Sequence, residues 1–103
     1  MTEPKFDELV HAPTRLSIVS LLAAAEWADF KFLRDTAGMS DSALSKQLTT
    51  LEDAGYVEIR KHFVGKRPRT SARLTPAGRT AFDGHVAALQ EIVARAGATV
   101  LPS

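Results

Sequence analysis

The stretch SDSALSKQLTTLEDAGYV, residues Ser40 to Val57, decides the fold because its two faces differ in kind. Leu44, Leu48 and Leu51 recur at i, i+4 and i+7, so they form the apolar stripe of an amphipathic helix that packs inward. The opposite face carries small hydroxyl side chains, an amide and one cation where a solvated helix usually has Glu and Lys. Ser and Thr are mediocre helix formers, so this outer face needs a reason other than helical stability.

The residues before this helix predict how the chain enters it. Ser40 is suited to cap the helix, and Met39 before the cap can form a hydrophobic staple with a leucine of the first turn. Asp29 can cap a preceding helix that runs through Ala37 and that Gly38 ends in the left-handed conformation. The two helices are then joined by a short turn containing glycine, which is the spacing of a helix-turn-helix.

Further elements are predicted on both sides of this helix pair from apolar periodicity and from turn and cap residues. Before the helix pair, they are a weakly patterned lead-in at 1–11, a helix opened by Pro13 and ending near 24, and a very short strand at 27–28. After it, two hairpin strands are predicted at 56–60 and 71–75, with a loop between them that contains Gly65 and Pro68. A last helix is capped by Thr75 and runs from Pro76 to about Ala96, and a frayed tail follows at 97–103.

Composition restricts the class of protein. A chain of 103 residues with 45% apolar content fits one domain, for which we predict residues 1–96. The absence of cysteine excludes disulfides, thiolate metal sites and a cysteine nucleophile. With no signal-peptide pattern and no run of about 18 apolar residues, the sequence predicts a soluble cytoplasmic protein. The net charge of +1 says little about partners, so the distribution of charge matters more.

Basic residues are concentrated between Arg60 and Arg73, where RKHFVGKRPRTSAR holds six Lys or Arg and no acidic residue. Such clustering indicates contact with phosphates. A hairpin tip that carries cations can straddle a nucleic-acid backbone or place an arginine in the adjacent minor groove. The residues predicted to contact the DNA backbone or minor groove from this wing are Arg60, Lys61, Lys66, Arg67, Arg69, Thr70 and Arg73.

The outer face of the helix after Ser40 suits contact with base edges in the major groove. Bulky charged side chains would hold the backbone away, whereas Ser, Thr and Gln donate and accept at short range. Gln47 can pair bidentately with adenine, and Lys46 can reach guanine or a phosphate. The predicted base-reading residues are Ser42, Ala43, Lys46 and Gln47, and the predicted flanking contacts are Ser40, Ser45, Thr49 and Thr50. For the helix taken alone, an ordinary solvated face stays an open alternative.

The segments LSKQLTTLEDAGYVEIRK and GKRPRTSARLTPAGRTAF resemble the small winged-helix transcriptional regulators of the MarR/ArsR-like group over roughly residues 10–95. LTPAGR, after the second hairpin strand, is the piece most typical of that group. The resemblance implies a mainly α fold with a small β-hairpin wing, a winged helix-turn-helix with helices at both ends forming a dimer interface. It also implies a homodimer that binds double-stranded DNA as a repressor or an activator. We expect a repressor, with no cofactor.

The last helix carries a second pattern. Phe82, Val86, Leu89 and Val93 recur at steps of four, three and four, which is the seam spacing of a coiled coil. A helix that follows a wing has little domain left to pack on, so the seam predicts a homodimer. The second apolar side of the first helix is expected to join it. The predicted interface consists of Ile18, Leu21, Phe82, Val86, Leu89, Ile92 and Val93.

Several other chemistries are weighed and set aside. No nucleophile, base and orienting group can be assembled, so the sequence predicts that the chain is not an enzyme. Gly65-Lys66 lacks the other residues of a phosphate-binding loop. His11, His62 and His85 lie far apart in sequence and show no ligand spacing.

Two features bear on metal ions and on small-molecule ligands. Zinc-sensing relatives carry a D-x-H pair like Asp83 and His85, but Ala96 and Thr99 stand where further ligands would be required, so we predict no metal site. The aromatic residues Trp27, Phe30, Phe32 and Phe63 can line a pocket for a small-molecule effector of unknown identity, or they can belong to the core.

One rival function stays open at this point. A winged helix can serve as a protein-interaction module, in which the basic hairpin meets an acidic partner and no DNA is read. Salt-dependent binding to duplex DNA separates the two functions.

Overall fold

A computed structural model of the protein describes residues 2–100, with side chains through residue 96. In chain order the elements are α1 Glu8–His11, α2 Pro13–Ala23, β1 Ala28–Asp29, α3 Phe30–Ala37, α4 Asp41–Asp53, β2 Val57–Val64, β3 Arg67–Leu74 and α5 Pro76–Val100. The strands form one antiparallel sheet in the order β1-β3-β2. This mainly α architecture with a small β-hairpin confirms the predicted fold class. Within the described residues, no helix is both long and apolar enough to cross a membrane.

The connection between α3 and α4 follows the predicted cap chemistry. Gly38 ends α3 in the left-handed region, with φ of 67°. The Ser40 hydroxyl then accepts a hydrogen bond from the Ala43 backbone N–H at 3.2 Å, as an N-cap should. The predicted cap of α3 is only half right, because the Asp29 side chain makes no capping bond there. The Asp29 carboxylate instead forms an ion pair with Arg69, with Nη1 and Oδ2 3.4 Å apart.

The core lies where α2, α3 and α4 meet the inner face of the sheet, and the leucine stripe of α4 is at its centre. Leu44, Leu48 and Leu51 are at most 2% exposed, which confirms the inward face predicted from their spacing. The other core side chains that are almost completely buried are Val10, Ile18, Val19, Leu22, Leu33 and Val57. Because this stripe is buried, the opposite face of α4 is turned to solvent.

The hairpin is longer than predicted, and its turn is tighter. Strands β2 and β3 pair from Val57 with Leu74 up to Val64 with Arg67, so the turn holds only Gly65 and Lys66. Gly65 has φ of 65°, which suits the first position of a two-residue hairpin turn. The prediction ends the strands early because the outer half shows no apolar alternation, since its two apolar residues, Phe63 and Val64, are adjacent.

Pro68 was expected in the loop at the tip, but it lies within β3 opposite Phe63. A proline removes a backbone donor and is tolerated at a strand edge. The short strand β1 pairs with Ser71 and Ala72 and ends there, so the far side of β3 is an open edge at Pro68.

The two ends of the chain also differ from the prediction. The lead-in contains a short helix, α1, which Asp7 caps through a hydrogen bond from the Val10 N–H at 3.0 Å. Four residues are too few to show a helical period. At the other end α5 continues to Val100, past the predicted end at Ala96. A single glycine at position 97 costs a long helix only about 1 kcal/mol. The rest of the predicted tail, 101–103, lies outside the described residues.

Candidate nucleic-acid interface

The outward face of α4, opposite the buried leucines, carries the exposed side chains of Ser42, Lys46 and Thr49, and of Asp53 at its C-terminal end. The acidic residue that opens the helix, Asp41, is bound by Arg34 of α3 at 2.8 Å. This ion pair offsets the negative charge nearest to the small polar residues. The first turns of α4 therefore present hydroxyls and an ammonium group to solvent.

The other predicted base-reading residues lie on the flank of α4 that faces α2. Ala43 and Gln47 are half-buried there and line a shallow groove with Pro13 and Thr14. The Gln47 Oε1 accepts a hydrogen bond from Arg15 Nη1 at 3.1 Å. The structure thus divides the predicted base-reading set between an outward face and a flank.

The predicted flanking residues have different surroundings. Ser40 is occupied as the N-cap, and the Thr50 hydroxyl donates to the Lys46 carbonyl at 3.0 Å within its own helix. Ser45 and Thr49 instead line a groove of about 560 Å³ between α4 and the hairpin. The opposite wall of that groove includes Lys61 and Thr70 of the wing.

The strand register divides the predicted wing residues between two faces, because directly opposed residues of an antiparallel pair lie on the same face. Lys61 opposes Thr70, and both face the groove beside α4. On the other face of the sheet, the Arg60 and Arg73 guanidinium groups lie over the Trp27 ring, at 4.1 and 4.6 Å from its centroid. Trp27 therefore packs beneath cations of the wing.

Two of the wing arginines have acidic partners that are far away in sequence. Arg73 Nε lies 2.6 Å from a Glu58 carboxylate oxygen, and Arg69 Nη1 lies 3.4 Å from an Asp29 carboxylate oxygen. Within the described residues, Lys66 and Arg67 at the turn are exposed and have no carboxylate partner. We call Lys66 and Arg67 the tip cations. They carry positive charge that is free to meet phosphate.

Arg15 is a site residue that the sequence analysis missed. A cation in the first turn of a helix opposes the helix dipole, so its position in α2 was a signal that a specific partner holds it. The signal was not used because neither of its acceptors, Leu9 and Gln47, is recognisable from sequence spacing.

The predicted dimer surface is partly wrong. Ile18 is completely buried in the core of its own domain, so it cannot supply an interface, and Leu21 and Phe82 pack against the same core. The second face of α2 is covered by neighbouring elements of the same chain. In contrast Ile92 and Val93 are 45% and 67% exposed on the distal half of α5.

Two histidines that are 74 residues apart in sequence are hydrogen-bonded. His11 Nδ1 lies 3.1 Å from His85 Nε2, and the Phe6 ring lies 4.7 Å from both imidazole rings. Their separation in sequence gives no sign of this contact. Among the described residues no three His, Asp or Glu side chains could hold a metal ion. Of the remaining aromatics considered for a pocket, Phe32 and Phe63 are 51% and 72% exposed.

Comparison with known proteins agrees with this arrangement. Residues 14–93 match a family described as a winged helix DNA-binding domain. The chain is 29% identical over 79 residues to an uncharacterised protein of Methanocaldococcus jannaschii, covering 77% of this chain and 86% of that protein. A solved structure of a transcriptional regulator homologue from Pyrococcus horikoshii OT3 superposes with a TM-score of 0.79 at 23% identity, over 85% of this chain and 87% of the other.

A second solved structure contains a ligand. NadR in complex with 4-hydroxyphenylacetate superposes with a TM-score of 0.71 at 25% identity, over 90% of this chain and 65% of NadR. The fold, the polar face of α4 and the family match define a winged-helix protein. In particular, the chain belongs to the family of winged helix DNA-binding domains. Membership confirms the winged-helix part of the predicted resemblance, and with it the prediction that the chain is not an enzyme.

Proposed function

We propose that the protein is a sequence-specific, dimeric DNA-binding repressor that acts in the cytoplasm, with α4 in the major groove and the wing on the adjacent backbone or minor groove. The observation that carries the proposal is the exposed face of Ser42, Lys46 and Thr49 beside a hairpin whose tip cations are unpaired among the described residues. Small polar side chains let α4 approach base edges, while the tip cations meet phosphates. Lys61 and Thr70 line the groove between these two contacts.

The dimer follows from the exposed apolar residues of α5. Val86 and Leu89 are half-buried, and Ile92 and Val93 continue the stripe into solvent. Pairing two copies of this stripe about a two-fold axis would cover it and would place two α4 helices side by side. The preferred site is then an inverted repeat whose half-sites are about 10 base pairs apart, one helical turn of DNA.

A repressor of this kind is commonly released by a signal, and the solved NadR contains a small aromatic acid. By analogy we extend the proposal to a small-molecule effector of unassigned identity. The rival function is an interaction module in which the wing binds an acidic protein. Both functions use the same basic hairpin, so variants of the hairpin cannot separate them. The test therefore uses substitutions in α4.

Selection of bound sites from random duplex DNA, followed by measurement of every single-base variant at one salt concentration, tests the proposal. We expect an inverted repeat. Ser42→Ala and Lys46→Ala should each relax the choice of a base pair in both half-sites, by about 1 kcal/mol or more for each base edge that the variant no longer reaches. Ser20→Ala is the matched control, because that exposed hydroxyl donates to its own helix at Leu16. If wild type selects no sequence, and neither α4 variant changes the profile, the interaction module is the better account.

A further inference from the structure

Arg15 joins the first long helix to the flank of α4, and two hydrogen bonds hold its guanidinium group. Nε donates to the Leu9 carbonyl of α1 at 2.6 Å, and Nη1 donates to Gln47 Oε1 of α4 at 3.1 Å. The Leu9 carbonyl is itself held in place, because its neighbour Val10 is completely buried in the core. Arg15 and Gln47 are both half-buried, so the side chains have less freedom to change rotamer than exposed ones.

The chemistry of arginine decides which way the Gln47 amide faces. A guanidinium has five N–H donors and no acceptor, so the atom that it contacts must be the amide oxygen. The amide nitrogen is therefore turned away from Arg15, and it makes no hydrogen bond to another group in the part of the chain that the structure describes. Arg15 thus takes one of the two lone pairs of the Gln47 oxygen, and the amide nitrogen keeps two free donors beside the groove between α2 and α4.

We propose that Arg15 is a positioning residue that holds the Gln47 amide oxygen and turns its two N–H donors away from α2, which selects a keto base, guanine or thymine, in place of adenine. The proposal rests on the proposed function, because it assigns the base that α4 reads. Adenine readout by glutamine needs a donor to N7 and an acceptor for the N6 amino group, but the Gln47 amide oxygen is directed at Arg15, which takes one of its two lone pairs. Guanine O6 and N7 and thymine O4 all accept from a free donor. Adenine N7 accepts one as well, but the N6 amino group beside it then meets no acceptor, and cytosine offers only its N4 donor.

The experiment uses the selected site and four proteins, namely wild type, Gln47→Ala, Arg15→Ala and Gln47→Glu. Gln47→Ala identifies the base pair that depends on Gln47. At that pair, wild type should favour a keto base over adenine by about tenfold, which is about 1.4 kcal/mol. Arg15→Ala frees the amide oxygen, so the preference should move towards adenine while the rest of the profile is kept.

Gln47→Glu keeps the contact with Arg15 as an ion pair but has no donor, so it should lose the keto preference without gaining one for adenine. Gln47→Glu also controls for misfolding, because its side chain keeps the contact with Arg15. Thermal unfolding of Arg15→Ala and of Gln47→Glu measures whether each variant is folded. A wild-type preference for adenine at the Gln47 pair would overturn the inference, as would an unchanged profile in Arg15→Ala. If wild type selects no site at all, the proposed function fails and this inference fails with it. If wild type selects a site but Arg15→Ala does not change the base preference, only this inference fails.

Discussion

His85 is completely buried, and its hydrogen bonds decide which of its nitrogens carries the proton. The Asp7 backbone N–H donates to His85 Nδ1 at 3.0 Å, so Nδ1 must be unprotonated. His85 Nε2 then carries the hydrogen and donates to His11 Nδ1 at 3.1 Å. The His85 ring is neutral in this arrangement, and a second proton on it would face the Asp7 backbone donor.

The environment of His85 agrees with a neutral ring. Burial lowers the pKa of His85, and the nearby His11 lowers it further, against a smaller opposing effect of the Asp7 carboxylate. An unfolded chain binds a proton at His85 near pH 6.5, whereas the folded chain binds it only at lower pH. The free energy of unfolding should therefore decrease as the pH falls below about 6.5.

His85→Asn tests this origin of the pH dependence. The asparagine oxygen can still accept from the Asp7 N–H, but the side chain does not titrate. We expect a lower free energy of unfolding at pH 7.5, because asparagine lacks the ring that packs on Phe6, and a smaller decrease between pH 7.5 and pH 5 than in wild type. Urea unfolding at both pH values measures it. Parallel decreases in the two proteins would show that another group is responsible.

Protonation of Asp7 changes the stability in a different range of pH, so it does not interfere with the comparison of His85→Asn and wild type. Burial raises the pKa of Asp7, but hydrogen bonds from the Tyr56 hydroxyl, at 2.6 Å, and from the Val10 N–H outweigh it, so the pKa is lowered. Stability from this carboxylate is fully present above its usual pKa of 3.8 and is lost as the pH falls through the lower folded value. Its effect therefore begins below the window from pH 7.5 to pH 5 in which His85→Asn is compared with wild type.

At the scale of elements, the hairpin shows that a run of cations in sequence is not a uniform charged surface. Arg69 and Arg73 are paired with carboxylates, whereas the tip cations Lys66 and Arg67 are not paired within the described residues. An arginine that already has a carboxylate partner neutralises less phosphate charge on binding. The contribution to DNA affinity should thus be concentrated at the turn.

Replacing both tip cations with alanine should weaken binding to all duplexes alike. The log–log slope of affinity against salt should decrease by about 0.9 for each phosphate that the wing no longer neutralises. The preferred site should be unchanged, because phosphate contacts carry no base information. Titrations of a selected and an unrelated duplex over several salt concentrations measure both effects.

The double variant Arg69→Ala and Arg73→Ala is the matched control, since it removes the same number of positive charges from the same hairpin. We expect a smaller change in slope, because these two arginines are already partly neutralised by Asp29 and Glu58 and so meet less phosphate charge than the turn does. Equal slopes for the two double variants would show that the ion pairs open on binding and that the turn is not special.

At the scale of the whole molecule, α5 extends away from a small domain. The protein measures 61 by 25 by 20 Å, and the side chains from Glu91 to Ala96 are all exposed. Val93 is 67% exposed, so a change there does not disturb the core of its own protomer. Leu89 is half-buried, and a charge there would affect folding as well as pairing.

Val93→Glu should therefore separate the dimer into folded monomers. A carboxylate buried in the seam without a partner costs several kcal/mol, and each 1.4 kcal/mol is about tenfold in the dissociation constant. Sedimentation at micromolar concentration should show dimer for wild type and monomer for the variant, with the same helical content. Ala94→Glu is the control, because it adds the same charge about 100° around the helix from Val93. A Val93→Glu protein that stays dimeric would remove this stripe from the interface.

The sequence alone determined the features that depend on spacing along one element. Leu44, Leu48 and Leu51 specify the buried side of α4, and the cap residues Ser40 and Thr75 mark where two helices begin. These signals are local, because periodicity and capping act within a few residues of the chain. They were sufficient for the fold class and for the outward face that carries Ser42 and Lys46.

Only the tertiary structure decided which charges and apolar side chains are free. Arg69 meets Asp29 across the sheet, Arg15 holds Gln47 between two helices, and Ile18 is covered by its own domain. Each of these outcomes depends on a partner that lies tens of residues away in the chain. Contacts at such separations follow from the packing of elements and from strand register. Neither can be predicted from the residue spacing within a single segment.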